Sequence, residues 1–319
     1  MPEIRHIPLI DIGRDPDDIA AELDRACRDT GFFFVVGHDV PVDLQQRLDA
    51  LSREFFALPD REKAAIDMRL GGRAWRGWFP VGRELTSGVP DQKEGIYFGQ
   101  ERPPSDLPLH GPNLFPERPA GLRDAVLAYI DAVTALGHRV LRALAVALGL
   151  EAGWFDAHLT HDPLVLFRIF HYPPLEQRDE RWSVGEHTDY GLITILAQDE
   201  SGGLEVRGPD GWIAAPPIAN SFVVNLGDML ERMTGGRYKS TPHRVHNTSG
   251  ADRLSFPLFL DPAWAAEVLP VPTVGDAREN SDAIDRWDGA SVHEWSGTYG
   301  DYLLTKVGRV FPELRDEVL

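Results

Sequence analysis

Apolar positions follow two different periods along this chain, and the change between them divides it. In the first half the period is helical. Asp15-Pro16-Asp17-Asp18 has the form of a helix start, with an N-cap aspartate, proline at the first helical position and acids in the first turn. Ile19, Leu23, Ala26 and Cys27 then recur on one face, and Gly31 closes the helix. Phe32-Phe33-Phe34-Val35-Val36 reads as a buried strand and Ile7-Pro8-Leu9-Ile10 as a short first one. A second helix is predicted from about Pro41 to Ala57 through Val42, Leu44, Leu48, Leu51 and Phe55, and a short third one begins at Asp60. A long amphipathic helix is predicted from about Ala120 to Leu150, with Val126, Ile130, Val133, Leu136, Leu141, Leu144 and Leu148 on a broad apolar face. His138 within it reads as structural. A short helix near Gly153 to His158 and a closing one from about Thr298 to Arg309 complete the helical set.

After about Pro163 the pattern becomes that of short strands separated by turns. The predicted strands are Leu164–His171, Ser183–Asp189, Leu192–Gln198, Gly203–Arg207, Trp212–Ala215, Ser221–Asn225, Tyr238–Asn247 and Asp252–Leu260. Glycine, proline and serine clusters mark the turns, and eight strands at this spacing suggest a sandwich or jelly roll. Between the two halves, Gly71 to Pro119 is rich in glycine, proline and aromatic residues and is expected to be irregular, as lids and binding loops are. The expected division is residues 1–120 as a helical and strand region carrying a substrate loop, and residues 121–319 as the strand-rich core.

Composition narrows the partners. The 319 residues carry a formal net charge of −18 with no basic cluster, which argues against a nucleic-acid surface. The lone cysteine, Cys27, allows no internal disulfide. Met1 to His6 lacks the apolar stretch of a signal peptide, and no stretch is apolar enough to span a membrane. The expectation is a cytoplasmic protein, a monomer or weak homodimer, acting on a small molecule.

The chemistry is concentrated in a few strand positions. On a strand, residues i and i+2 face the same way, so His187 and Asp189 of Gly185-Glu186-His187-Thr188-Asp189 can present ligands together. A third ligand has to come from another strand, with His243 and His246 as candidates facing opposite sides. Two imidazoles and one carboxylate leave three adjacent coordination positions open, as a mononuclear non-haem iron(II) site requires. A closed structural zinc site usually takes four ligands, often cysteines, and is disfavoured here. Arg253 and Ser255 are again i and i+2; a guanidinium fork and a hydroxyl suit the far carboxylate of a small diacid.

These motifs together resemble the isopenicillin N synthase-like branch of the iron(II)/2-oxoglutarate-dependent oxygenases. Further similarity lies in Ile7-Pro8-Leu9-Ile10-Asp11, in Gly31 to Pro41, in Phe55-Phe56-Ala57-Leu58-Pro59, in Asn113-Leu114-Phe115-Pro116 and in Asn225-Leu226-Gly227-Asp228. The resemblance implies an α+β fold whose core is a double-stranded β-helix, or jelly roll, with flanking helices and one long helix packed on the barrel. It implies His187, Asp189 and His243 as ligands of Fe(II), with His38 not a ligand. Arg253, Ser255 and Tyr172 would bind the 5-carboxylate of 2-oxoglutarate. The family's Arg-x-Asn-Tyr-Tyr-Pro-Pro segment is similar to Arg168-Ile169-Phe170-His171-Tyr172-Pro173-Pro174, which departs from it at Phe170 and His171. The implied reaction consumes O2 and 2-oxoglutarate, passes through a ferryl species and releases succinate and CO2. The alternatives are an iron oxidase of the same fold that does not use 2-oxoglutarate, and a ligand-binding relative without turnover. Trp75, Phe79, Tyr97, Phe98, Phe170 and Phe259 are the candidate substrate residues, with Arg76 or Lys93 available to an acidic group.

Overall fold

A computed structural model describes residues 6–86, 88–174, 182–247, 249–273, 286 and 289–312. The α-helices among them are α1 (Pro16–Asp29), α2 (Val42–Phe56), α3 (Asp60–Lys63), α4 (Leu122–Ala147), α5 (Trp154–His158), α6 (Asp228–Met233) and α7 (Tyr299–Val310). The strands are β1 (Leu9–Asp11), β2 (Phe32–Val36), β3 (Gly77–Phe79), β4 (Glu94–Gly99), β5 (Leu164–Tyr172), β6 (Val184–His187), β7 (Ile193–Gln198), β8 (Leu204–Gly208), β9 (Gly211–Ala214), β10 (Phe222–Leu226), β11 (His243–Val245) and β12 (Arg253–Asp261).

They form two sheets: an eight-stranded one in the order β1-β2-β10-β7-β12-β5-β4-β3, and a four-stranded one in the order β6-β11-β8-β9. All pairings within them are antiparallel except β1 with β2. The result is a jelly-roll core with flanking helices. The strands before residue 120 add to both edges of the larger sheet, β1 and β2 beyond β10, β3 and β4 beyond β5.

Local chemistry explains the helices. Asp15 caps α1 by accepting from the Asp17 amide at 3.0 Å, and Gly31, at φ 65°, turns the chain into β2 where a side chain would be strained. α4 buries Val126, Ile130, Val133, Leu141 and Leu144 and packs on α1, α2, β7 and β12. At Gly137 a Cβ would stand 2.7 Å from Leu260 and 3.1 Å from Ile195, so this glycine sets how closely α4 lies on the sheet.

Four expectations change. Gly77–Phe79 and Glu94–Gly99, within the stretch read as irregular, are strands of the larger sheet, with Tyr97 opposite Arg168. Asp228–Met233, where no helix is expected, is a short helix. The strand expected over Tyr238–Asn247 contracts to His243–Val245. Pro242 has no amide proton, and the amides of Lys239 and Ser240 are taken by the Cys27 carbonyl and Glu231 Oε2. The strand expected to reach Asp189 ends at His187.

Candidate metal centre

The pairing of β6 with β11 builds the site, because it sets His243 directly opposite His187. The two rings lie 4.2 Å apart between centroids. Asp189 arrives from the turn just beyond β6 rather than from the strand itself, with Oδ1 3.8 Å from His187 Nε2 and 4.0 Å from His243 Nε2. One donor atom from each of the three lies within 4.8 Å of the others. His246 packs against Trp182 instead, the rings tilted at 49°, and His38 faces the Asn220 carbonyl.

Each ligand candidate is held by its far side. His187 Nδ1 lies 2.8 Å from the Gly185 carbonyl and His243 Nδ1 lies 3.3 Å from the Thr241 carbonyl. A carbonyl only accepts, so both Nδ1 atoms carry the proton and both Nε2 lone pairs point toward Asp189. Asp189 Oδ2 accepts from Thr194 Oγ1 at 2.5 Å and Asn225 Nδ2 at 2.7 Å, which leaves Oδ1 for the site. Burial pushes the His187 pKa down, and burial with His187 beside it pushes His243 down to about 4. Burial opposes ionisation of Asp189, but His243, His187 and the bonds from Asn225 and Thr194 outweigh it and hold the carboxyl below its ordinary range. The set at neutral pH is therefore two neutral imidazoles and a carboxylate, the protonation states that metal ligands need.

The cavity beside this cluster runs along the inner faces of β5 and β12. Arg253 and Tyr172 are cross-strand partners there, and Ser255 follows on the same face. Arg253 is fully buried. Its Nε donates to the Gly202 carbonyl at 2.6 Å and its guanidinium lies over the Tyr172 ring at 4.6 Å. Its Nη1 and Nη2 have no hydrogen-bond partner among the described residues. Ser255 Oγ lies 3.1 Å from the Tyr172 hydroxyl. A buried guanidinium with two idle donors is costly unless an anion meets it. The donor set and this idle fork fit an iron(II) ion and a dicarboxylate side by side.

Of the aromatic candidates, Tyr97, Phe170 and Phe259 line the cavity. Phe79 stands behind them, edge-on to Tyr97 and Phe170. Phe98 neighbours Tyr97 on β4 and so points to the other face of the sheet, where it stacks on Phe115 and Phe167. Trp75 is buried behind the wall, edge-on to the lining residue Phe311, and does not itself line the cavity. Arg76 spends Nη1 and Nη2 on the carbonyls of Phe98 and Leu109 at 3.0 and 2.9 Å, its Nε is left without a partner among the described residues, and it does not line the cavity. Lys93 does line it, with its ammonium 2.7 Å from Asp91 and 3.0 Å from Glu84. Sequence reasoning missed Arg168, Glu84, Thr194, Asp261 and the α7 residues Leu303 and Val307, all of which line the cavity. The period-two alternation of β5, β7 and β12 carried the signal for Arg168, Thr194 and Asp261; nothing local marked the others.

Residues 163–262 match the 2OG-Fe(II) oxygenase superfamily model, and residues 7–118 match the model for the N-terminal region of non-haem dioxygenases in morphine synthesis. The chain belongs to the 2OG-Fe(II) oxygenase superfamily, and it is of the isopenicillin N synthase-like type. It is 44% identical to a Dictyostelium discoideum protein named "Probable iron/ascorbate oxidoreductase", over 99% of this chain and 98% of that one. It is 35% identical to the 1-aminocyclopropane-1-carboxylate oxidase of Dictyostelium mucoroides, over 98% and 96%. The crystal structure of a full-length Neurospora crassa protein in complex with alpha-KG superposes with a TM-score of 0.80 at 29% identity, covering 95% of this chain and 96% of that one. The protein is accordingly a non-haem iron(II) dioxygenase that uses 2-oxoglutarate and O2 to oxidise a small molecule. No helix among the described residues is long and apolar enough to cross a membrane.

Proposed function

We propose that His187, Asp189 and His243 hold the iron(II), and that Arg253, Ser255 and Tyr172 bind the distal carboxylate of 2-oxoglutarate. The observation that carries this reading is the pair of idle, buried Arg253 donors in the same cavity as the three-residue cluster. Bound iron(II) supplies the centre at which dioxygen is activated. The chain's residues do the rest. The two Nδ1 bonds to carbonyls fix both imidazoles, and Thr194 and Asn225 fix Asp189, so the ligands need no reorganisation when the metal enters. Arg253 offers its fork to a planar carboxylate and Ser255 and Tyr172 offer hydroxyls, which sets the cosubstrate's orientation. Apolar side chains of the wall keep water away from the reacting carbon.

On this reading residues 121–319 supply the metal and cosubstrate residues, while residues 1–120 supply Tyr97 and Lys93 to the far wall. The reading also takes the chain to act in the cytoplasm as a monomer or weak homodimer; the lone cysteine supports the compartment and the acidic composition the absence of a nucleic-acid partner. The test is anaerobic addition of iron(II) and then 2-oxoglutarate. A visible charge-transfer band should form with the wild type and be lost in His187→Ala along with one equivalent of bound iron. A band of equal strength in His187→Ala would remove that residue from the ligand set.

A further inference from the structure

A second arginine, partly buried, faces the same cavity. Arg168 projects from β5 on the same face as Phe170 and Tyr172, four residues before Tyr172. Four residues of strand separate the two backbone positions by roughly 13 Å. Arg253 sits opposite Tyr172, so the two guanidiniums leave the sheet at separate points along the cavity.

The surroundings of Arg168 are those of a recognition site rather than a structural ion pair. Its guanidinium is clamped between the Tyr97 ring at 3.9 Å and the Phe259 ring at 4.7 Å. That sandwich fixes the plane of the fork and leaves its edge free. Its side chain is 16% exposed. Its Nε is buried without a partner, and none of its donors makes a hydrogen bond among the described residues. The nearest carboxylate is Glu84, whose Oε1 is 4.0 Å from Arg168 Nη1. Glu84 is already engaged: Oε1 accepts from the Tyr97 hydroxyl, and Oε2 lies 3.0 Å from the Lys93 ammonium. Asp261, at the same end of the cavity, accepts from the Tyr299 hydroxyl at 2.5 Å. Glu84 is thus held by Tyr97 and Lys93 and one Asp261 oxygen by Tyr299, with Asp261 Oδ1 left unpartnered, while the Arg168 Nε has no acceptor among the described residues.

We propose that Arg168 is the substrate anchor and that the substrate is a small carboxylic acid with an apolar body. The carboxylate takes the free edge of the Arg168 fork. The body lies on Phe170, Phe259 and the inner face of α7, where Leu303 and Val307 close the wall. This inference rests on the assignment of Arg253 to 2-oxoglutarate, since it requires the two arginines to take different acids.

The test uses the full chain loaded anaerobically with iron(II) and saturating 2-oxoglutarate. Phenylacetate and straight-chain carboxylates of four to ten carbons are titrated against their primary amides. Binding is read as the shift of the 2-oxoglutarate charge-transfer band and by calorimetry. In the wild type at least one carboxylate should bind tenfold or more tighter than its amide. Arg168→Gln should abolish that preference while its affinity for 2-oxoglutarate stays within about twofold, which also shows that the variant is folded. Arg168→Lys, which keeps the charge but not the fork, should retain only part of it. Absence of any carboxylate preference in the wild type, or an undiminished one in Arg168→Gln, overturns the proposal. So does displacement of 2-oxoglutarate by the acids, which would assign them to Arg253. Failure of the band to form with 2-oxoglutarate alone is a different result, and it would fall on the cosubstrate assignment.

Discussion

At one end of the cavity Arg253 stacks on one ring, spends one donor on the Gly202 carbonyl and keeps two idle; at the other, Arg168 is held between two rings and spends none. Arg76, a few strands away and nearly as buried as Arg253, gives both terminal nitrogens to backbone carbonyls and keeps only Nε without a partner among the described residues. On the proposed assignment, the difference separates an arginine whose terminal nitrogens the fold uses from two whose terminal nitrogens it leaves for a ligand. A buried guanidinium left without acceptors is retained at a cost in stability, so something outside the chain has to meet it.

The sharpest way to break this comparison is to remove the forks one at a time. Arg253→Ala should weaken 2-oxoglutarate by about 2–5 kcal/mol, roughly thirty-fold or more, with iron still bound; calorimetry on the iron-loaded enzyme checks it. Equal loss of iron and 2-oxoglutarate would make Arg253 a structural residue.

Asp261 distinguishes the two ends by pH. Burial pushes its pKa up to about 7, against the opposing bond from Tyr299. The folded protein then keeps a proton that the unfolded chain releases near pH 4. Stability from this group is full below that pH, falls as pH rises toward about 7 and is flat above it. The total is on the order of a few kcal/mol. Denaturant unfolding of the metal-free protein between about pH 5 and 8 should show this slope in the wild type and lose it in Asp261→Asn.

Arg76→Ala should do the opposite of Arg253→Ala. Two buried carbonyls lose their donor, for about 2–3 kcal/mol of stability, while 2-oxoglutarate affinity is unchanged. The smallest effect is expected from Ser255→Ala, about 1 kcal/mol of 2-oxoglutarate affinity, because one neutral hydroxyl is removed and the fork remains.

How much of this could be read beforehand depended on whether the signal was local. Asp15-Pro16 and Gly31 mark the ends of α1 by chemistry that acts within a few residues, so those bounds were legible. The side-chain alternation of β12 put Arg253 and Ser255 on one face, and the structure keeps them there. The joining of His243 to His187 depends on which strands pair, and spacing alone left His246 as an equal candidate. The strand Glu94–Gly99 was hidden because Glu94-Gly95-Ile96-Tyr97-Phe98-Gly99 has a glycine at two of six positions and owes its state to its neighbours β3 and β5. Gly95 is required there, since a Cβ would stand 2.7 Å from the Phe170 ring and 2.9 Å from that of Phe79. With β4 unseen, Tyr97 could not be set opposite Arg168, and the second arginine went unnoticed. Trp75 and Phe98 looked like pocket residues for the same reason: an aromatic cluster says that something is buried, and only the sheet says on which face.

The most direct test of the division between the two arginines is a 2-oxoglutarate titration, followed by the visible charge-transfer band, on the iron(II)-loaded wild type, Arg253→Ala and Arg168→Gln side by side. The dissociation constant should rise roughly thirty-fold or more in Arg253→Ala and stay within about twofold in Arg168→Gln. A comparable loss in both would mean that the two guanidiniums share one ligand, and that the cavity does not hold two separate acid sites.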